Sequence, residues 1–259
     1  GSGAGLWEWK EWGGSWQLVK LGRDASLQGF GAAHCILPQG PRVYAGGDGG
    51  VLISEDFGQI WRRAAIEGPV QVLLASRYPA ADPTVFAGSP RGLFISKDAG
   101  FTYKEISLPG RAVLRLEWPG PDLVLATSQG VLVSSDAGRT FRGPGPGLPP
   151  GPVVALALSS FFGSDPVLFA GVGREGVYRS SDGARTWVPS GLQGRAVNDL
   201  AWMGPLLYAA TDRGLHRMPA AAARLPRTRA RAVRRARAAA RVRRSDYWLW
   251  PHRAQLRSA

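Results

Sequence analysis

Carboxylates recur along this chain in a fixed setting, and the first question is whether they do chemistry. Asp56, Asp98, Asp136 and Asp182 lie in the segments GVLISEDFGQIW (50–61), GLFISKDAGFTY (92–103), GVLVSSDAGRTF (130–141) and GVYRSSDGARTW (176–187). A degenerate relative, GLWEWKEWGGSW (5–16), opens the chain with Glu11 in the acid's place, and the five acids follow one another at 45, 42, 38 and 46 residues. Glycoside hydrolysis needs two carboxylates roughly 5–10 Å apart, one protonated and one ionised. Here the four Asp instead come with a Ser before and, with single exceptions, a Gly and a Thr after; the Glu11 segment keeps Gly13 and Ser15, and every segment closes on an aromatic: Trp16, Trp61, Tyr103, Phe141 or Trp187. That is turn chemistry. The carboxylate accepts backbone N–H groups, Gly takes a positive φ, and the hydroxyls add local bonds while the aromatic packs.

Two acids outside these segments, Glu117 and Asp199, fall on predicted strands of different repeats and form the candidate catalytic pair. His34, His216 and His252 are scattered, and no Cys or His spacing fits a ligand set, so no metal and no cofactor is expected. The single cysteine, Cys35, sits in an apolar stretch and reads as a core residue.

The elements that position these residues are short strands. The first whole unit predicts strands at 31–37, 42–45, 51–54 and 59–64, and the next at 70–76, 84–87, 93–96 and 102–106. Two further units span 112–142 and 153–189, and residues 196–217 repeat the first two strands and most of a third. No helical periodicity separates them. Four antiparallel strands repeated at about 40 residues describe the blades of an all-β propeller. About five blade equivalents are present, either closing by combining strands from both termini or forming a fragment of a six- to eight-bladed ring.

The Ser-x-Asp-x-Gly-x-Thr-aromatic segment resembles the Asp-box, or BNR, repeat of bacterial sialidases, xyloglucanases, sortilin-type receptors and photosystem II assembly factors. The resemblance covers residues 5–217. Ile60 replaces the Thr of the Asp56 box and Ala184 the Gly of the Asp182 box, which predicts looser turns there. The resemblance implies that the boxes lie on the hairpin between third and fourth strands, away from the usual binding face. That face would be made by the loops between second and third strands, which carry Asp48, Arg91, Gln129, Arg174, Glu175, Asp212 and Arg213. No sialidase arginine motif or Tyr/Glu pair accompanies the repeats. The leading reading is therefore a non-catalytic scaffold that binds a protein or peptide, with Arg91, Arg174 and Arg213 as the loop cations the assembly factors would use. A glycan-cleaving hydrolase using Glu117 and Asp199 is the alternative.

Net charge is +13, but residues 220–259 hold 12 Arg against Asp246 alone, leaving +2 for residues 1–219. Residues 1–217 read as the propeller and 218–259 as a basic low-complexity tail. That tail is either genuine, helical or disordered over 228–244 and able to pair with nucleic acid or an anionic surface, or the product of a lost reading frame. No apolar run approaches the roughly 20 residues of a membrane span. The chain opens in mid-repeat without Met or a signal pattern, and the family resemblance alone implies an extracytoplasmic location.

Overall fold

The computed structural model describes residues 7–10, 15–18, 29–160 and 162–219. The chain divides into two units, Gly1–Pro219 and Ala220–Ala259, and the second, with the expected tail helix, lies outside the described residues. No helix occurs among those described, and none is long and apolar enough to cross a membrane.

The architecture is a succession of antiparallel blades. A hairpin of β1 (Trp7–Lys10) and β2 (Ser15–Leu18) comes first. Blade 1 is β3 (Ala33–Gln39), β4 (Arg42–Gly47), β5 (Gly50–Ser54) and β6 (Arg62–Arg63). Blade 2 is β7 (Val72–Ala75), β8 (Val85–Ser89), β9 (Gly92–Ser96) and β10 (Lys104–Ile106). Blade 3 has β11 (Val113–Glu117), β12 (Leu123–Thr127) and β13 (Gly130–Ser134). Its fourth strand is reduced to a single bridge in which Val133 and Arg142 exchange N–H···O bonds of 3.0 and 2.9 Å. Pro144, without an N–H, cannot extend that pairing. Blade 4 is β14 (Val153–Leu158), β15 (Leu168–Val172), β16 (Gly176–Ser180) and β17 (Val188–Pro189), and blade 5 is β18 (Val197–Met203), β19 (Leu206–Thr211) and β20 (Gly214–Pro219). The fourth strands are shorter than the sequence predicts, and β20 runs past Arg217, where the repeat pattern stops, to pair Pro219 with Leu206.

Adjacent blades meet face to face. First strands contact one another in order, β3 with β7, β7 with β11, β11 with β14 and β14 with β18. Each second strand offers a small residue where the next blade's valine abuts: a Cβ on Gly46, Gly88 or Gly171 would lie 2.9, 2.7 or 2.7 Å from Val70, Val113 or Val197. Larger residues would prise the blades apart. Phe86 packs edge-on against Trp118 at 5.2 Å, and Phe169 repeats this against Trp202 at 5.3 Å at the last described junction, between blades 4 and 5.

The ends of the series differ from its middle. Leu73, Leu116, Leu156 and Leu200, in matching register on first strands, are 6–7% exposed, whereas Ile36 at that register in blade 1 is 63% exposed. Val51, Leu93, Val131 and Val177, second residues of third strands, are fully buried, whereas Leu215 in blade 5 is 73% exposed. Blades 1 and 5 thus each present a face without a neighbouring blade among the described residues.

Candidate functional site

The boxes occupy the hairpins between third and fourth strands. In the Asp136 box, Ser134 donates to Asp136 Oδ1 at 2.7 Å and accepts the Gly138 N–H at 2.8 Å; the Arg139 and Thr140 N–H groups donate to Oδ1 at 3.0 and 2.8 Å, and Thr140 Oγ1 to Oδ2 at 2.6 Å. The other boxes repeat this. Two consecutive residues, not Gly alone, take positive φ: Phe57 and Gly58, Ala99 and Gly100, Ala137 and Gly138, Gly183 and Ala184. The Asp182 box is not loosened by its alanine. Ala184 adopts φ 68° and its N–H reaches Ser180 Oγ at 2.9 Å, because the preceding Gly183 and the buried site hold the turn. Ile60 costs the Asp56 box only the hydroxyl bond. Trp61 and Trp187 are buried and Tyr103 and Phe141 half-buried. Glu11 lies outside the described residues, and Trp16 on β2 stands opposite Trp9 in register.

These carboxylates are acceptors held in the ionised form. The Ile60 N–H and Ser54 lower the pKa of Asp56, and Thr140 and Ser134 hold Asp136 well below the ordinary carboxylate range. For Asp98 and Asp182, desolvation raises the pKa, but the bonds from Thr102 and Ser96, or Thr186 and Ser180, outweigh it. Such groups are poor general acids and poor bases. Because the folded pKa values are depressed, their stabilisation is present above the unfolded value of about 3.9 and is lost as pH falls through the folded values. Urea midpoints are therefore expected to be level from pH 7 to about 5 and to fall steeply below about 4; a level profile down to pH 3 would contradict this account.

At the opposite end, the residues nominated for a binding face are placed together on successive turns, and most have local partners. Asp48 Oδ2 accepts the Ala32 N–H at 2.9 Å and Oδ1 meets His34 Nε2 at 2.7 Å; Asp212 Oδ1 likewise accepts the Ala196 N–H at 3.1 Å. These acids cap the entry to β3 and β18, and Ser128 does so for Ala112 at 3.1 Å. Gln129 donates to the Gly110 carbonyl at 2.8 Å. Arg91 faces Glu105 at 3.5 Å, and Arg174 of blade 4 faces Asp212 of blade 5 at 3.3 Å. Both arginines are more than half exposed, so these pairs are weak and exchangeable. Glu175 and Arg213 are exposed on the last two turns. The shared capping role of Asp48, Ser128 and Asp212 was missed in the sequence; its signal was a short polar residue just after the second strand in three of five units.

The candidate catalytic pair is not brought together as neighbours. By register Asp199 matches Arg115, so Glu117 lies two residues, roughly 7 Å, further along its strand, with β14 between the two strands. Desolvation raises the Glu117 pKa, offset in part by Arg77. Asp199 accepts its neighbour Leu200's N–H at 2.9 Å. Burial pushes the Cys35 thiol up to about 11, which keeps it protonated and unreactive.

The repeated blades, joined through their first strands and carrying a box on each full hairpin, decide the comparison with known structures. The fold is a β-propeller, and its boxes resemble the BNR repeat. This propeller superimposes on the extracellular domain of a hybrid two-component system from B. thetaiotaomicron (TM-score 0.63, 17% identity, 87% of this chain and 31% of that one). It also superimposes on an ancestral GH74 enzyme (TM-score 0.60, 18% identity, 69% and 27%) and on YCF48 bound to D1 peptide (TM-score 0.56, 14% identity, 78% and 67%). The propeller thus spans less than a third of the first two of these chains. No protein-family model matches the sequence, and a search of curated proteins finds no match.

Proposed function

We propose that the chain is a non-catalytic scaffold that binds a protein or peptide partner, outside the cytoplasm as the extracellular neighbours do. The observation that carries this reading is the state of the carboxylates. Box acids are consumed by their own turns, and Glu117 and Asp199 sit on non-adjacent strands at different heights. The turns between second and third strands, by contrast, present Arg91, Arg174 and Arg213 on one end of the blades, two of them in exposed pairs that a partner's carboxylates can replace. The peptide held by YCF48 supports a peptide as ligand for a fold of this kind.

The GH74 neighbour favours a second reading, hydrolysis of glycans with Glu117, whose pKa desolvation raises, and Asp199 as the carboxylates. One experiment separates the two. On a peptide array followed by titration calorimetry, saturable binding weakened by Arg91→Glu or Arg174→Glu supports the scaffold. Turnover of a glycan panel that Glu117→Gln or Asp199→Asn abolishes supports the hydrolase instead. Binding of nucleic acid or anionic surfaces rests on residues outside the described ones and is tested by truncation after Pro219.

A further inference from the structure

Three consecutive blade junctions differ in one respect. Where blade 1 meets blade 2, the Ala65 N–H donates to the Phe101 carbonyl at 2.8 Å and the Tyr103 N–H to the Ala65 carbonyl at 3.3 Å, so that Phe101 of the second box seals the crevice as a parallel bridge. Where blade 3 meets blade 4, the Trp187 N–H donates to the Pro146 carbonyl at 2.9 Å and the Arg142 guanidinium to the Gly183 carbonyl at 2.6 Å. The matching residues between blades 2 and 3 are Ser107 on one side and Arg139 to Phe141 on the other, by count from each box aromatic. No hydrogen bond joins them. The position of Phe101 is taken by Arg139, which is exposed.

What remains is a groove of about 690 Å³. Its apolar lining comes from half-buried Ile95, Ile106 and Trp118, and the chain is closed beneath it by Ile106 against Gly138. Lys97, Lys104 and Arg139 line it too. Lys97 is held by a 2.7 Å bond to Thr84 Oγ1, while Lys104 and Arg139 make no ion pair among the described residues. Two acids line it as well, Glu105 in a weak exposed pair with Arg91 and Asp136 bonded within its own turn, so three cations face two carboxylates. The groove is therefore an apolar trough under an excess of positive charge, with unjoined backbone on both sides.

We infer that this groove is a binding site for an extended acidic peptide carrying an aromatic residue. The ligand's backbone takes the place that the Phe101 segment takes between blades 1 and 2. Its aromatic side chain lies on Ile95, Ile106 and Trp118, and its carboxylates meet Lys104 and Arg139. This rests on the peptide-binding reading but places the site at the box end of the blades, where Arg91 reaches only the Glu105 edge and Arg174 takes no part.

The test uses the full chain and a fluorescein-labelled peptide with one Phe flanked by Asp and Glu. Saturable anisotropy is expected, weakening with salt and falling roughly tenfold in Arg139→Glu and in Lys104→Glu. Arg139→Phe, which restores the residue that seals the preceding junction, is expected to abolish binding. Amide exchange at 106–108 should slow in the complex. Should Arg139→Phe fail to fold, the two exposed charge reversals still decide. Equal affinity for a Phe→Ala or Lys-containing peptide overturns the proposal. Binding untouched by these variants but lost in Arg174→Glu overturns the groove and leaves the scaffold reading standing; binding of no peptide on the array removes both.

Discussion

Replacing Gly147 with alanine is expected to destabilise the propeller by about 3–5 kcal/mol, the largest effect of a single methyl addition at any described glycine. Gly147 has φ 88°, a region that costs an L-residue strain. An added Cβ would lie 2.1 Å from the Trp187 carbonyl oxygen and 3.0 Å from its carbon. Those are backbone atoms, and the neighbouring Trp187 N–H is bonded to Pro146, so the box strand cannot retreat without breaking the bond that joins blade 3 to blade 4. Gly163 is the control, since nothing lies within 4 Å of its Cβ position. Urea denaturation of the two alanine variants reads the difference; midpoints that fall together would show that the junction yields.

Phe86→Ala is expected to cost about 3–5 kcal/mol and to divide the unfolding transition in two. Phe86 is fully buried between blades 2 and 3, edge-on to Trp118 and clustered with Leu116, Leu123 and Leu125. In a series of blades each unit is stabilised mainly by its neighbours, so emptying one junction uncouples the units on either side. Among the three junctions of blades 1 to 4 this one has the least reserve, because no backbone bond seals its outer crevice. Hydrogen exchange should show blades 1 and 2 opening at a different denaturant concentration from blades 3 to 5. A single cooperative transition with only a small shift would mean that the cavity collapses at little cost.

Much of the blade plan was legible because its determinants are local. Ser54 reaches Asp56 and Gly58 within four residues, and the hairpins pair residues such as Gly47 and Gly50 across two-residue loops, so a short window of sequence contains every partner. The exceptions are instructive. Ala184 reads as a defect by residue type, yet the tertiary setting imposes its left-handed backbone. The fourth strand of blade 3 was expected from the repeat, but Gly143 and Pro144 end the pairing after Arg142. Asp48 and Asp212 were read as binding residues from their place in the repeat, and whether an exposed acid caps a strand depends on where a residue 16 positions earlier comes to lie.

Turns, hairpins and the repeat that stacks them follow from turn chemistry and alternation within each blade, and so can be read from the residues alone. Which junctions are sealed, which acids are satisfied and where a groove stays open emerge in the folded chain. The contacts that settle these matters join residues of different blades, as Tyr44 with Ala99 and Arg142 with Gly183. The same box position holds Phe101 in one blade and Arg139 in the next, and the sequence shows both substitutions without showing that one closes a crevice and the other lines one.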